Sequence, residues 1–189
     1  SAVFGALFGT RVAAGVFSKE VISIGVMYYA ALVACLFSAF LGAWISGALG
    51  VEPERYQILD MPQFTFSSAA YVVALGIFCA VASIGFCMLL HRSEHLWKER
   101  IPNPWLRILA ASGCLILLTL LTGTRDYNGG SMGLIENAME GQARYQDFLF
   151  KALFTAITLS GGFKGGEIVP TLCVGSTFGC VVGQLAGIS

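Results

Sequence analysis

The chain holds three long runs without a single Asp, Glu, Lys or Arg: Val21 to Val51, Met61 to Leu90 and Ile168 to Ser189. A helix needs roughly 20 apolar residues to cross a hydrocarbon core about 30 Å thick. Each run meets that length. In such a core every backbone N–H and C=O must find a partner within the protein, which leaves few architectures open.

Composition supports the same class. Of 189 residues, 56% are hydrophobic and 12% charged, the latter about half the share of an ordinary soluble domain. Eleven Lys and Arg balance eleven Asp and Glu, so no basic excess exists to hold a nucleic acid. Disordered and collagenous chains are excluded by the same figures. The 23 glycines sit inside apolar stretches, where a soluble helix would lose about 1 kcal/mol for each. Membrane helices tolerate them, because small residues let backbones approach closely.

The longest run, Val21 to Val51, reads as one tilted helix or as two helices meeting near Gly42 or Gly47. Met61 to Ser68 reads as an interfacial approach with a Ser cap, after which Ala69 to Leu90 spans. Ile108 to Thr124 is a minimum span, and Tyr145 to Ser160 is interrupted by Asp147 and Lys151. Charges collect between the runs: Glu52, Glu54, Arg55 and Asp60 form one loop. His91 to Arg107 forms another, with Arg92, Lys98, Arg100 and Arg107 against Glu94 and Glu99. The basic loop is expected to face the cytoplasm and the acidic one the outside, with Tyr56, Trp97 and Trp105 in an aromatic belt. Pro102-Asn103-Pro104 breaks two helices, and the turn at Tyr127 to Ser131 precedes a polar helix over Leu134 to Ala143. The chain starts at Ser1 without a secretory signal and stops at Ser189 inside a run, so a piece of a longer protein is expected.

The most informative stretch is Ser160-Gly161-Gly162-Phe163-Lys164-Gly165-Gly166-Glu167-Ile168-Val169-Pro170, followed by an apolar helix. Its four glycines and proline cannot continue a helix. Irregular backbone at membrane depth is tolerated only where protein buries it or where it lines a cavity. Such a segment ending in a helix N-terminus is physically an anion site, since first-turn N–H groups and the dipole both favour negative charge. Pro170 suits that turn because its missing N–H would be orphaned anyway. The plain alternative is a loop outside the membrane. A P-loop does not fit, because Lys164 is followed by Gly165 rather than by Ser or Thr.

Other motifs carry little chemistry. His91 and His95 lie one helical turn apart without a third metal ligand, and no Ser-His-Asp or Cys-His set can be assembled, so no enzyme activity and no metal or cofactor is expected. The thiols of Cys35, Cys79, Cys87, Cys114, Cys173 and Cys180 read as buried small hydrophobes. Gly42, Gly47 and Gly50 with Ala39 and Ala43 form a small-residue face for helix packing or a subunit contact.

Gly166-Glu167-Ile168-Val169-Pro170 resembles the Gly-x-Phe-x-Pro signature of CLC chloride channels and proton-coupled anion transporters, with Ile168 in the aromatic position. Phe8 to Glu20 is similar to the helix pair near the middle of CLC proteins. Tyr127-Asn128-Gly129-Gly130 and Ile135 sit where the family has a Gly-rich turn. The resemblance covers residues 1–189 and implies an all-α integral membrane fold, a CLC-type bundle of tilted and broken helices. The chain is then one partial transmembrane domain with no soluble domain. It also implies a homodimer in the plasma or inner membrane that carries chloride or fluoride, as a channel or a proton-coupled exchanger. The candidate anion-binding residues are Gly166, Glu167, Ile168, Val169 and Pro170, with the amides of Glu167 and Ile168 coordinating and Gly166 and Pro170 shaping the turn.

The family's serine-bearing loop and gating glutamate would precede Ser1, and its closing tyrosine would follow Ser189, so the chain alone is not expected to conduct. Two departures stand out. Val21 directly follows Glu20 where the exchangers carry a second acidic residue, and Phe163 to Glu167 is more similar to the bacterial fluoride-exporting branch, where Glu167 is a functional carboxylate. A membrane structural or assembly subunit, its Gly-rich turn merely packing helices, is the alternative reading.

Overall fold

The computed structural model describes residues 1–20, 29–51, 53 and 66–186, and among these all regular structure is helical. The helices are α1 (Ala2–Phe8), α2 (Arg11–Glu20), α3 (Tyr29–Ala48), α4 (Phe66–Arg100), α5 (Pro104–Thr122), α6 (Met132–Met139), α7 (Asp147–Ser160) and α8 (Ile168–Leu185). By length and composition α3, α4 from Ala69, α5 and α8 can each cross a membrane. The chain divides into two compact units, Ser1–Gln57 and Ile58–Ser189. The first residues of the Val21 run, the loop of Glu52, Glu54, Arg55, Tyr56 and Asp60, the Met61 to Thr65 approach and the last three residues lie outside the described residues.

In the first unit α1 lies backbone to backbone against α3. A Cβ placed on Gly5 would come 2.9 Å from the Ala39 carbonyl oxygen, and one on Gly42 would come 2.7 Å from that of Ala2. The small-residue face is thus a helix contact at Ala39 and Gly42, whereas none of the described atoms comes within 4 Å of a Cβ on Gly47 or Gly50. Helix α3 runs unbroken through Gly42 and Gly47, so two helices do not meet there. Without proline, its backbone ladder continues past both glycines. Gly9, at φ 65°, ends α1 in the left-handed conformation, and α2 returns to stack Phe17 on Phe4 at 4.8 Å between ring centroids. The Arg11 guanidinium sits 5.8 Å over the Phe40 ring, a cation–π contact.

In the second unit the backbone is already helical at Phe66, so Ser67 and Ser68 lie within α4. It then continues to Arg100, through residues expected to form a loop. No glycine or proline interrupts Phe86 to Ile101, and exposed pairs one turn apart support helix there. Lys98 Nζ lies 2.5 Å from Glu94, and His95 Nδ1 lies 3.3 Å from Glu99. The break comes at Pro102-Asn103-Pro104 as expected, where the Asn103 side chain accepts from the Trp105 N–H at 3.1 Å and Pro104 opens α5. Helix α6 covers Met132–Met139 rather than Leu134 to Ala143.

Helix α7 is the hub of this unit. Phe86 of α4, Ala152 of α7 and Val174 of α8 form one apolar cluster, while Phe154 of α7, Cys173 of α8 and Tyr127 form another with Leu115 and Leu118 of α5 packed on it. With 14 residues, α7 is only about 21 Å long, too short to cross the hydrocarbon core by itself. The thiols do not all lie in the core. All six are free; Cys173 is buried, Cys87 is exposed, and the other four are half-buried, because the outer faces of the long helices point away from the described core.

The helix contact at Gly42 predicts that Gly42→Ala in the full-length protein lowers the detergent melting temperature, by the overpacking cost of about 1–3 kcal/mol. Gly47→Ala, whose Cβ meets none of the described residues, is expected to leave it unchanged or raise it slightly, since Ala is the better helix former.

Candidate functional site

The irregular segment is narrower than the sequence pattern implies, running from Gly161 to Glu167 between α7 and α8. The end of α7 is closed by paired bonds, Gly162 N–H to the Leu159 carbonyl at 3.1 Å and Phe163 N–H to the Thr158 carbonyl at 3.3 Å. This is a Schellman cap, and it needs a left-handed residue, supplied by Gly162 at φ 99°. Gly161 has a different constraint. A Cβ there would strike the Ala111 methyl and come 2.9 Å from the Ile157 carbonyl oxygen. Arg107, on the first turns of α5, lies alongside: its Nη2 is 3.5 Å from where a Gly162 Cβ would stand. The Arg107 Nε is buried without a hydrogen-bond partner among the described residues.

Gly165 and Gly166 lack such reasons. A Cβ on Gly165 meets Leu159 at an ordinary 3.6 Å, and none of the described atoms lies within 4 Å of one on Gly166. A side chain at Gly166 would therefore meet no steric conflict with the described residues.

Glu167 stands at the N-cap position with helical backbone angles, φ −89° and ψ −18°, and its side chain makes no cap bond. Its carbonyl accepts from the Thr171 N–H at 3.0 Å and from the Thr171 hydroxyl at 2.6 Å. Thr171 is thus the first residue to donate along α8. The N–H groups of Glu167, Ile168 and Val169 have no acceptor among the described residues, and Pro170, inside the first turn as expected, has no N–H to offer. Gly166, Glu167 and Ile168 are exposed, Val169 and Pro170 half-buried. All five candidate residues therefore sit together at one helix start, where three free donors and about half a positive charge from the dipole converge. The arrangement can take an anion.

The sequence pattern does not reveal what stands behind this start. Asp147 and Lys151, read there as interruptions, are 4% and 1% exposed. The Tyr127 hydroxyl donates to Asp147 Oδ1 at 2.7 Å, and the Arg144 N–H donates to Oδ2 at 2.9 Å. Lys151 Nζ donates to the carbonyls of Tyr127 at 3.2 Å and Gly129 at 2.6 Å and to Ser131 Oγ at 2.7 Å. A signal was available: an ionisable residue inside an apolar membrane segment is functional by default. Burial, with help from the Asp147 bond, pushes the Tyr127 hydroxyl up to about 12.

The sequence profile of the voltage gated chloride channel family matches residues 1–188. The chain belongs to the CLC family. A CLC relative, a chloride/fluoride channel protein of Pseudomonas syringae pv. tomato, is 30% identical over 203 aligned residues, covering all of this chain and 45% of that protein. The crystal structure of a CLC-type fluoride/proton antiporter matches with a TM-score of 0.90 at 32% identity, over 98% of this chain and 47% of that one. The chain spans about half the length of the CLC proteins it matches. It is a membrane protein with the CLC-type helical fold.

Tyr127→Phe removes the donor to a buried carboxylate and is expected to cost about 1–3 kcal/mol in a detergent melt. Because the folded hydroxyl titrates above its ordinary value of 10, the contribution is complete below that pH and is lost as pH rises through about 12. The wild-type and Phe melting curves should therefore stay a constant distance apart from pH 6 to 9.

Proposed function

We propose that this chain is the part of a CLC anion transporter that presents backbone N–H groups to the permeating ion. The reading rests on one observation above all: the free N–H groups of Glu167, Ile168 and Val169 at the exposed start of α8. Donors of this kind replace part of an anion's water shell without a cation that would hold it too tightly. Fluoride is the favoured cargo and chloride the other candidate, because both relatives carry fluoride in their descriptions.

Glu167 gives the site a second property. Its carboxylate, set among these donors, competes with the anion unless it is protonated or swung away. The proposed mechanism therefore couples anion occupancy to the state of Glu167 without making or breaking a covalent bond. The proposed setting is a homodimer in the inner membrane of a bacterium, with both units of this chain belonging to one membrane domain that the rest of a full-length CLC protein completes.

Reconstituted full-length protein tests the reading through fluoride and chloride efflux from liposomes. Glu167→Gln and Gly166→Ala should each change the fluoride-to-chloride ratio or its dependence on a proton gradient by about tenfold, or roughly 1.4 kcal/mol. Gly166→Ala should do so without lowering the melting temperature, since its Cβ meets none of the described residues. Altered yield and thermal stability with an unchanged ratio would instead favour a packing or assembly role.

A further inference from the structure

Lys151 is the most completely enclosed charged side chain among the described residues, 1% exposed at the centre of α7. A buried ammonium is costly unless all three of its donors are used. Here they are, on the Tyr127 and Gly129 carbonyls and the Ser131 hydroxyl. None of those partners is an anion. Asp147, one turn earlier on α7, spends its oxygens on the Tyr127 hydroxyl and the Arg144 N–H, and no salt bridge to Lys151 forms among the described residues. The positive charge is solvated by dipoles and meets no carboxylate partner among the described residues. A neutral donor such as Gln could tether a turn without that cost.

The turn held by Lys151 bears on α8. The Ser131 carbonyl accepts from the Cys173 thiol at 3.8 Å, and a Cβ on Gly130 would stand 3.8 Å from Val169 Cγ1. Val169 belongs to the same first turn of α8 whose N–H groups are free. Ser131 itself has φ 55° and ψ 43°, the one left-handed residue other than glycine among those described. Such a conformation persists where its surroundings over-determine it, and the ammonium on its hydroxyl does so.

We propose that Lys151 is a positioning residue for the anion site: its buried ammonium, which has no ion pair among the described residues, clamps the Tyr127 to Ser131 turn against α8 and adds a positive charge behind the free N–H groups. The proposal deepens the transport reading and rests on it. In a poorly screened interior a fixed charge acts over more than its contact distance, so its removal weakens anion binding even where the fold survives.

The test measures apparent KM and maximal rate for fluoride efflux from liposomes holding full-length protein, with a detergent melt for each variant. Lys151→Gln, which keeps two N–H donors but loses the charge, is expected to raise KM by about tenfold. Lys151→Arg should return it to within about threefold of wild type, because the charge and donors remain. Ser131→Gly, which relieves the left-handed strain but removes one acceptor of the ammonium, should raise KM by a smaller factor and decides the matter if Lys151→Gln does not fold. Unchanged KM in the folded variants, with only yield or melting temperature reduced, overturns the proposal. Wild-type protein that carries neither fluoride nor chloride overturns the transport reading itself, and that outcome is visible before any variant is compared.

Discussion

A chain that leaves the helical path releases N–H and C=O groups that need partners, and the α7–α8 junction treats its two ends differently. The carbonyls at the end of α7 are closed by the Schellman bonds through Gly162 and Phe163. The donors at the start of α8 are not closed at all among the described residues. The break is thus asymmetric: the end of α7 is sealed, and the start of α8 leaves donors that the proposed anion would fill.

The surrounding elements make that arrangement affordable. Ala111 of α5 lies directly against Gly161, fixing where α7 ends. Arg107 lies beside Gly162, at the negative end of the α7 dipole, where a cation is favoured. On the other side, Tyr127, Asp147, Lys151 and Ser131 hold the preceding turn against α8 through buried hydrogen bonds. The short α7 is therefore less a membrane crossing than a post on which both sides of the site are mounted.

Much of this was legible in the sequence because hydrophobic length and glycine placement are local signals. The long runs marked α3, α4, α5 and α8, and the Gly161 to Pro170 pattern marked the helix start with its five candidate residues. Elsewhere local signals misled. The charged stretch His91 to Arg100 looked like a loop, but pairs such as Glu94 with Lys98 make it a helix. Gly42 and Gly47 looked like a place to bend, but α3 passes through both, and Gly42 has its reason in Ala2 of another helix. Asp147 and Lys151 looked like flaws in a span because their partners, Tyr127, Gly129 and Ser131, lie twenty or more residues away. No window along the chain brings those groups together; the fold does.

Backbone N–H groups at the start of α8 are the proposed anion ligands, and their amide resonances report on occupancy directly. In full-length protein labelled with nitrogen-15 and embedded in nanodiscs, titration with fluoride should shift the amides of Glu167, Ile168 and Val169 along one saturable curve, while those of His91 to Lys98 stay still. Saturable shifts confined to the exposed basic end of α4, or none at the three α8 amides, would contradict that assignment.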